Sequence, residues 1–136
     1  MAHLEFKAFL SCSFAQEDSE IVDLFEAFCD SFGFEVAKYD FQEPRRLTEA
    51  IKEYILNSDC VIAVLTRRNR LDSGEWICPE WVQHEVVFAN AIGKPIAIFI
   101  EDGVRIEGFI RDDARYQVFS RDRDQFLKIA PQITNR

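Results

Sequence analysis

One glutamate stands out for where its side chain must point. Drawn as a helix at about 100° per residue, the stretch EWVQHEVVFANAIGKP (80–95) has an apolar arc. It runs from Phe88 through Trp81 and Ile92 to Ala89, Val82 and Val86. Glu85 falls inside that arc, between Ile92 and Ala89, whereas Gln83, His84 and Asn90 lie on the other side. A carboxylate on a core-facing surface has two explanations. It reaches out to water or to an arginine, or it is held where water is scarce so that its charge can act on a reacting group. Trp81 lies four residues earlier on the same face, placed either to pack the core or to wall a pocket. His84 shares its side with Val87 and Ala91, which predicts a surface histidine and leaves no Ser-His-Glu hydrolase geometry.

The elements that must position these residues follow from pattern. FKAFLS (Phe6–Ser11) reads as a short strand, and Asp18 or Ser19 caps a helix with Ile21, Leu24, Phe25 and Phe28 at helical spacing. Gly33 ends it, and FEVAKY (Phe34–Tyr39) is a second strand, poorer in apolar residues and so nearer an edge. A second helix starts at about Leu47, with Leu47, Ile51 and Ile55 on one face. CVIAVLT (Cys60–Thr66) and PIAIFI (Pro95–Ile100) are continuous apolar runs, as expected of strands covered on both faces. Between them RRNRLDSGEWICPE reads as a long polar loop before the helix of Glu85, which Gly93 and Pro95 stop. YQVF (Tyr116–Phe119) is a weaker strand before a last helix capped near Ser120 or Asp122.

Five βα units with two apolar central strands imply an α/β, flavodoxin-like fold: a five-stranded parallel sheet with helices on both faces. Right-handed crossovers point to the strand order 2-1-3-4-5. Its switch point lies between strands one and three at their carboxyl ends, where such sheets bind ligands. SCSFAQED, after strand one, and the helix of Glu85 both meet there. Ser11 and Ser13 are either strand-end caps or lining of that crevice.

The bulk numbers narrow the partners. A chain of 136 residues, 48% hydrophobic and 29% charged, is an ordinary globular domain, and thirteen phenylalanines promise aromatic packing. With 24 acidic against 16 basic side chains the net charge is −8, which disfavours nucleic acid and anionic membranes as main partners. The same field opposes a phosphorylated ligand unless local cations help. Cys12, Cys29, Cys60 and Cys78 form no C-x-x-C pair, and with His3 and His84 they give no metal-ligand spacing. They read as free thiols of a reducing cytosol. The N-terminus has no signal-sequence pattern and the apolar runs are too short to span a bilayer, so a cytoplasmic location is expected. The expected organisation is one domain over 1–130, with 131–136 as a tail or the start of a linker. The mixed-charge run RDDARYQVFSRDRD reads as a solvated surface.

In order and spacing the chain resembles a TIR domain, and within that family the NAD-cleaving branch. KAFLSCSFAQED resembles the first-strand motif, DFQEPRRLTEAI stands where the family has its BB loop, and NSDCVIAVLT resembles the third strand with its Ser-Asp lead-in. EWVQHEVVFANAIGKPIAIFI is the most specific element: Trp, three residues, Glu, then a small-residue helix end, Gly-Lys and a strand. The resemblance implies that Glu85 is catalytic and that NAD⁺ is the substrate rather than a cofactor. The bond cut would join nicotinamide to ribose, giving ADP-ribose or a cyclic isomer. Ser11, Ser13, Phe14 and Trp81, with Asp40 and Glu43 of the BB loop, would line the substrate site, with no metal. It further implies a defence or innate-immune effector switched on by homotypic self-association, and a fused sensor domain. Many enzymatic relatives carry a basic residue just after the first-loop aromatic, but here Phe14 is followed by Ala15 and Gln16. Arg45, Arg46 or Arg67 could supply that charge instead, and the cluster Arg67, Arg68 and Arg70 reads as a solvated loop, a phosphate contact or a partner surface.

Two other readings stand beside this one. A non-enzymatic TIR adaptor uses the same fold for assembly but has no chemical need for the Trp81–Glu85 pair. A nucleoside deoxyribosyltransferase-like enzyme also sets a glutamate beside a sugar carbon. Incubation with NAD⁺ and separation of products distinguishes the three.

Overall fold

The computed structural model describes residues 6–13, 15–37, 48–105 and 116–121. In chain order the elements are β1 (Phe6–Ser11), α1 (Ser19–Ser31), β2 (Phe34–Ala37), α2 (Glu49–Leu56), β3 (Cys60–Leu65), β4 (Asn69–Arg70), β5 (Trp76–Ile77), α3 (Glu80–Ala91), β6 (Ile96–Glu101) and β7 (Tyr116–Phe119). Five strands form one parallel sheet in the order β2-β1-β3-β6-β7. Counting main-sheet strands alone, this is the expected 2-1-3-4-5 order, with β2 at an edge. The last helix and the tail anticipated from sequence fall outside the described residues, as does Leu47.

Strand alternation sorts the core into two faces. Ala8, Leu10, Ile62, Val64 and Phe99 point to the α1 side, where they pack with Val22 and Phe25. Their neighbours point to the opposite side: Ala63, Leu65, Ile98 and Ile100 pack with Trp81, Val82 and Val86 of α3. Phe9 and Val61 join Ile51 and Ile55 of α2 and Ala89 of α3. Ser11 continues the parity of Phe9, so the strand itself aims this hydroxyl towards α3.

The helices begin and end for local reasons. Thr48 accepts from the Ile51 backbone N–H at 3.3 Å and so caps α2. Asp18 sits at the N-cap position of α1, but its carboxylate makes no cap bond; it is used elsewhere, as described below. Gly33 and Gly93 follow the ends of α1 and α3 with φ of +78° each, a conformation that costs glycine nothing. Ile92, counted in the apolar arc from sequence, is 38% exposed because α3 has already ended at Ala91.

One element departs from the sequence expectation. The polar segment after β3 is not a plain loop, for Asn69–Arg70 and Trp76–Ile77 pair as a two-stranded antiparallel ribbon. Trp76 further exchanges backbone hydrogen bonds with the β6 exit: its N–H donates to the Gly103 carbonyl at 2.8 Å, and Arg105 N–H donates to its carbonyl at 2.7 Å.

All four cysteines are free thiols. Burial, reinforced by Cys60 close by, pushes Cys29 up to about 11 from 9.0, and burial likewise raises Cys60. At pH 8 only about a thousandth of Cys29 is then thiolate, against about a tenth at the ordinary value. Iodoacetamide at pH 8 is therefore expected to alkylate Cys29 in the folded protein at least about tenfold more slowly than in urea, read by peptide mass spectrometry. Equal rates would refute this. Among the described residues no helix is long and apolar enough to cross a membrane.

Candidate active site

Glu85 is buried with no exposed surface. Ser11 Oγ donates to its Oε1 at 2.6 Å, linking the last residue of β1 to the second turn of α3. Ser11 is equally buried and stands beside Ala63 of β3 in the sheet register. The pair therefore occupies the carboxyl edge where β1 and β3 diverge, at the switch point expected from topology. A short hydrogen bond to a carboxylate is charge-assisted and fixes the acceptor's position.

Trp81 lies one turn before Glu85 and is 8% exposed. Its indole N–H donates to the Cys12 carbonyl at 3.3 Å, which pins the ring against the residue after Ser11. The Arg68 guanidinium lies over the ring at 5.5 Å from its centroid. Trp81 thus packs in the α3 core and also borders the first loop, so both roles foreseen for it are compatible with its place. Ser13 is buried, and its Oγ accepts from the Ala15 N–H at 3.2 Å, which makes it a turn-forming cap. Phe14, Asp40 and Glu43, expected as lining, fall outside the described residues, as do Arg45 and Arg46. His84 is exposed and within 3.6 Å of Glu80, on the polar side of α3.

A second buried acidic group was not legible in the sequence. Asp18 and Glu101 are 2% and 1% exposed. Arg121, just beyond β7, donates to both: Nε reaches Glu101 Oε2 at 2.5 Å, and Nη2 reaches Glu101 Oε1 and Asp18 Oδ1. Arg121 Nη1 also donates to the Glu17 carbonyl at 2.6 Å. Thr66 Oγ1 donates to Asp18 Oδ2 at 3.2 Å, and the Arg67 N–H donates to Glu101 Oε1 at 2.9 Å. Burial alone would lower the pKa of Arg121; the hydrogen bonds to Glu101 and Asp18 outweigh it and raise the value. By strand parity this cluster lies on the α1 side of the carboxyl edge, opposite Glu85. The Asp18–Thr66 bond ties the segment leaving β1 to the end of β3. Arg121 therefore is not part of a solvated mixed-charge surface. The one local hint was Glu101 directly after a fully apolar strand.

Arg67 is committed as well. Its Nε donates to the Asp102 carbonyl at 2.8 Å and its Nη2 to Asp102 Oδ1 at 3.0 Å, with the guanidinium over Trp76. A cavity of about 470 Å³ does exist, but not at this edge. It lies between α1 and the amino-terminal half of the sheet, lined by Phe6, Phe25, Phe28, Phe34, Cys29 and Cys60. It presents no carboxylate and so is not where the chemistry of Glu85 could occur.

No family model and no curated protein sequence matches the chain. Among solved structures, the CMP N-glycosidase BcmB of Clostridium botulinum superposes with a TM-score of 0.64 at 16% identity, over 96% of this chain and 99% of that one. The two share a fold. A β-glucosidase from Listeria innocua, solved with isofagomine, aligns over 87% of this chain and 19% of its own at 18% identity, with a TM-score of 0.43. So low a score carries no argument. The likeness to BcmB extends over essentially the whole of both chains, and it agrees with the five-stranded parallel architecture described above.

Proposed function

We propose that the chain cleaves the N-ribosyl bond of a nucleotide, with Glu85 as the catalytic residue and the nicotinamide–ribose bond of NAD⁺ as the target. The observation that carries this reading is the fully buried Glu85, held by Ser11 at the sheet's switch point. As the base leaves C1′ with the bonding electron pair, positive charge grows on the ribose. A fixed carboxylate in a dry site stabilises that charge far better than a solvated one. The ribose hydroxyls would take over from Ser11 as donors to Glu85. Water then adds to C1′ and loses a proton, giving ADP-ribose; attack by an adenine nitrogen gives a cyclic isomer instead.

Leaving-group chemistry favours NAD⁺. Glycosidases that expel a poor leaving group need a second carboxyl group as acid. Nicotinamide departs neutral and needs none. The other buried acids on this edge, Asp18 and Glu101, are engaged by Arg121. The second reading is a nucleoside monophosphate as substrate, favoured by the fold likeness to an enzyme described as a CMP N-glycosidase. Cytosine is a poorer leaving group, so that reading requires an acid in addition to Glu85.

A carboxylate with no exposed surface cannot touch a sugar until its surroundings rearrange. That is how a latent enzyme would look, and it supports activation by self-assembly, as the TIR resemblance implies. A non-enzymatic adaptor would keep the Ser11–Glu85 bond merely as a brace between β1 and α3. Concentrated full-length protein is incubated with NAD⁺ and, separately, with CMP; nicotinamide release from NAD⁺ is expected, and faster when the protein is forced to oligomerise. Cytosine release alone would transfer the assignment to the second reading. Release of neither base under any condition would leave the adaptor.

A further inference from the structure

Arg67 and Arg68 leave β3 side by side, yet their charges are used differently. Arg67 is held by Asp102 and approaches Glu101 at 3.8 Å. Arg68 is exposed, and among the described residues no carboxylate pairs with it. Its backbone is nevertheless fixed, because its N–H donates to the Ile77 carbonyl at 3.0 Å and so belongs to the β4–β5 ribbon. Its guanidinium lies over the Trp81 ring, 5.5 Å from the centroid.

Trp81 in turn is fixed by Cys12, the neighbour of the serine that holds Glu85. One turn of α3, about 6 Å of axial rise for four residues, separates Trp81 from Glu85. A cation that no described carboxylate pairs with therefore lies against the carboxylate's own helix, about one turn from Glu85. A guanidinium carries a planar fork of N–H donors, the geometry that grips two oxygens of a phosphate. In a chain of net charge −8, such a group supplies the local attraction a phosphorylated ligand needs.

We propose that Arg68 is the phosphate-recognition residue of this site, binding the 5′-phosphoryl group of the nucleotide whose glycosidic carbon faces Glu85. This rests on the N-ribosyl cleavage proposed above, and it makes the site selective for nucleotides over the matching nucleosides. Arg67, its neighbour in the chain, is committed to Asp102 instead.

The test compares each nucleotide with its phosphate-free counterpart: NAD⁺ and CMP against nicotinamide riboside and cytidine. Turnover is measured with the wild type and Arg68→Gln, and binding by calorimetry with Glu85→Gln and the Glu85→Gln/Arg68→Gln double variant. Loss of one charged hydrogen-bonding contact is expected to weaken nucleotide binding, and to raise KM, by about 10- to 100-fold. The preference for nucleotide over nucleoside should shrink by the same factor, and Arg68→Lys should recover part of it. A structural brace on Trp81 would instead alter thermal stability and leave the preference where it was, which would overturn the proposal. Nucleotide binding that depends on Arg68, without turnover by wild type, would sink the catalytic reading and keep the phosphate contact. Turnover with equal preference in wild type and Arg68→Gln would do the reverse. Absence of both binding and turnover would remove both.

Discussion

Glu85→Gln is expected to lower nicotinamide release from NAD⁺ by about 10³-fold or more, the scale on which preorganised electrostatic groups act in enzymes. The protein should remain folded. Glutamine has the same shape and keeps an oxygen to accept from Ser11, whose hydroxyl lies 2.6 Å from the present carboxylate. What disappears is the negative charge, and with it the stabilisation of a cationic ribose. The expected change in unfolding free energy is about 1 kcal/mol, that of altering one hydrogen-bonded group. Glu85→Ala would be a poorer test, because it strands the Ser11 hydroxyl and opens a void in the α3 core, so lost activity would not separate chemistry from packing. Glu85→Asp gives a useful intermediate. It retains charge but withdraws it by one methylene, and a displacement of about 1 Å is enough for roughly a 10²-fold loss. Unchanged turnover by a folded Glu85→Gln protein would take this residue out of the mechanism.

The part of this site that could be read from sequence is the part that rests on periodicity. The arc of α3 is set by 3.6 residues per turn, and it puts Trp81, Val82, Glu85, Val86 and Ala89 inside; all five are buried. The alternation of β1 sets Ser11 on the side of Phe9, facing α3. Two apolar central strands imply a parallel sheet, and right-handed crossovers point to its order. What escaped was set by partners distant in the chain. Arg121 meets Glu101 from 20 residues away and Asp18 from 103, and apart from the place of Glu101 after the apolar run PIAIFI nothing local announces the meeting. A mixed-charge run looks the same whether its arginines face solvent or buried acids. The β4–β5 ribbon was hidden for another reason. Strands of two residues have no period to detect, and the segment's polarity is that of a loop. The same blindness made Arg67 seem available for phosphate, since only tertiary structure brings Asp102 beside it.

Removing the Arg121 guanidinium should be the most damaging single change to the fold outside the apolar core. Asp18 and Glu101 are both almost wholly buried, and Arg121 donates to each and to the Glu17 carbonyl. Among the described residues, the two carboxylates in Arg121→Ala would keep Thr66 Oγ1 and the Arg67 backbone N–H, with the Arg67 side chain 3.8 Å from Glu101. Breaking a buried pair by deleting one partner costs about 3–5 kcal/mol, because the remaining charge is left uncompensated. The Arg121 side chain is 34% exposed, so water offsets some of that loss, and about 3 kcal/mol is expected. A urea titration should show the transition midpoint lowered with its slope unchanged. Arg121→Lys should recover only part, since an ammonium cannot span both acids as the planar fork does. The pH dependence has a definite sign. The guanidinium pKa is raised on folding above its ordinary value by the hydrogen bonds to Glu101 and Asp18, so its contribution is complete below the ordinary value and is lost only as pH rises through the still higher folded value. Stability lent by Arg121 should therefore be undiminished by titration of this group up to about pH 11. Because Arg121 donates to Asp18 and to the Glu17 carbonyl at the end of the first loop, the variant should, on the function proposed above, also lose NAD⁺ cleavage under conditions where it is still mostly folded. A midpoint unmoved by Arg121→Ala would mean that the two acids are not held by this arginine, and that the loop beside Ser11 is fixed in some other way.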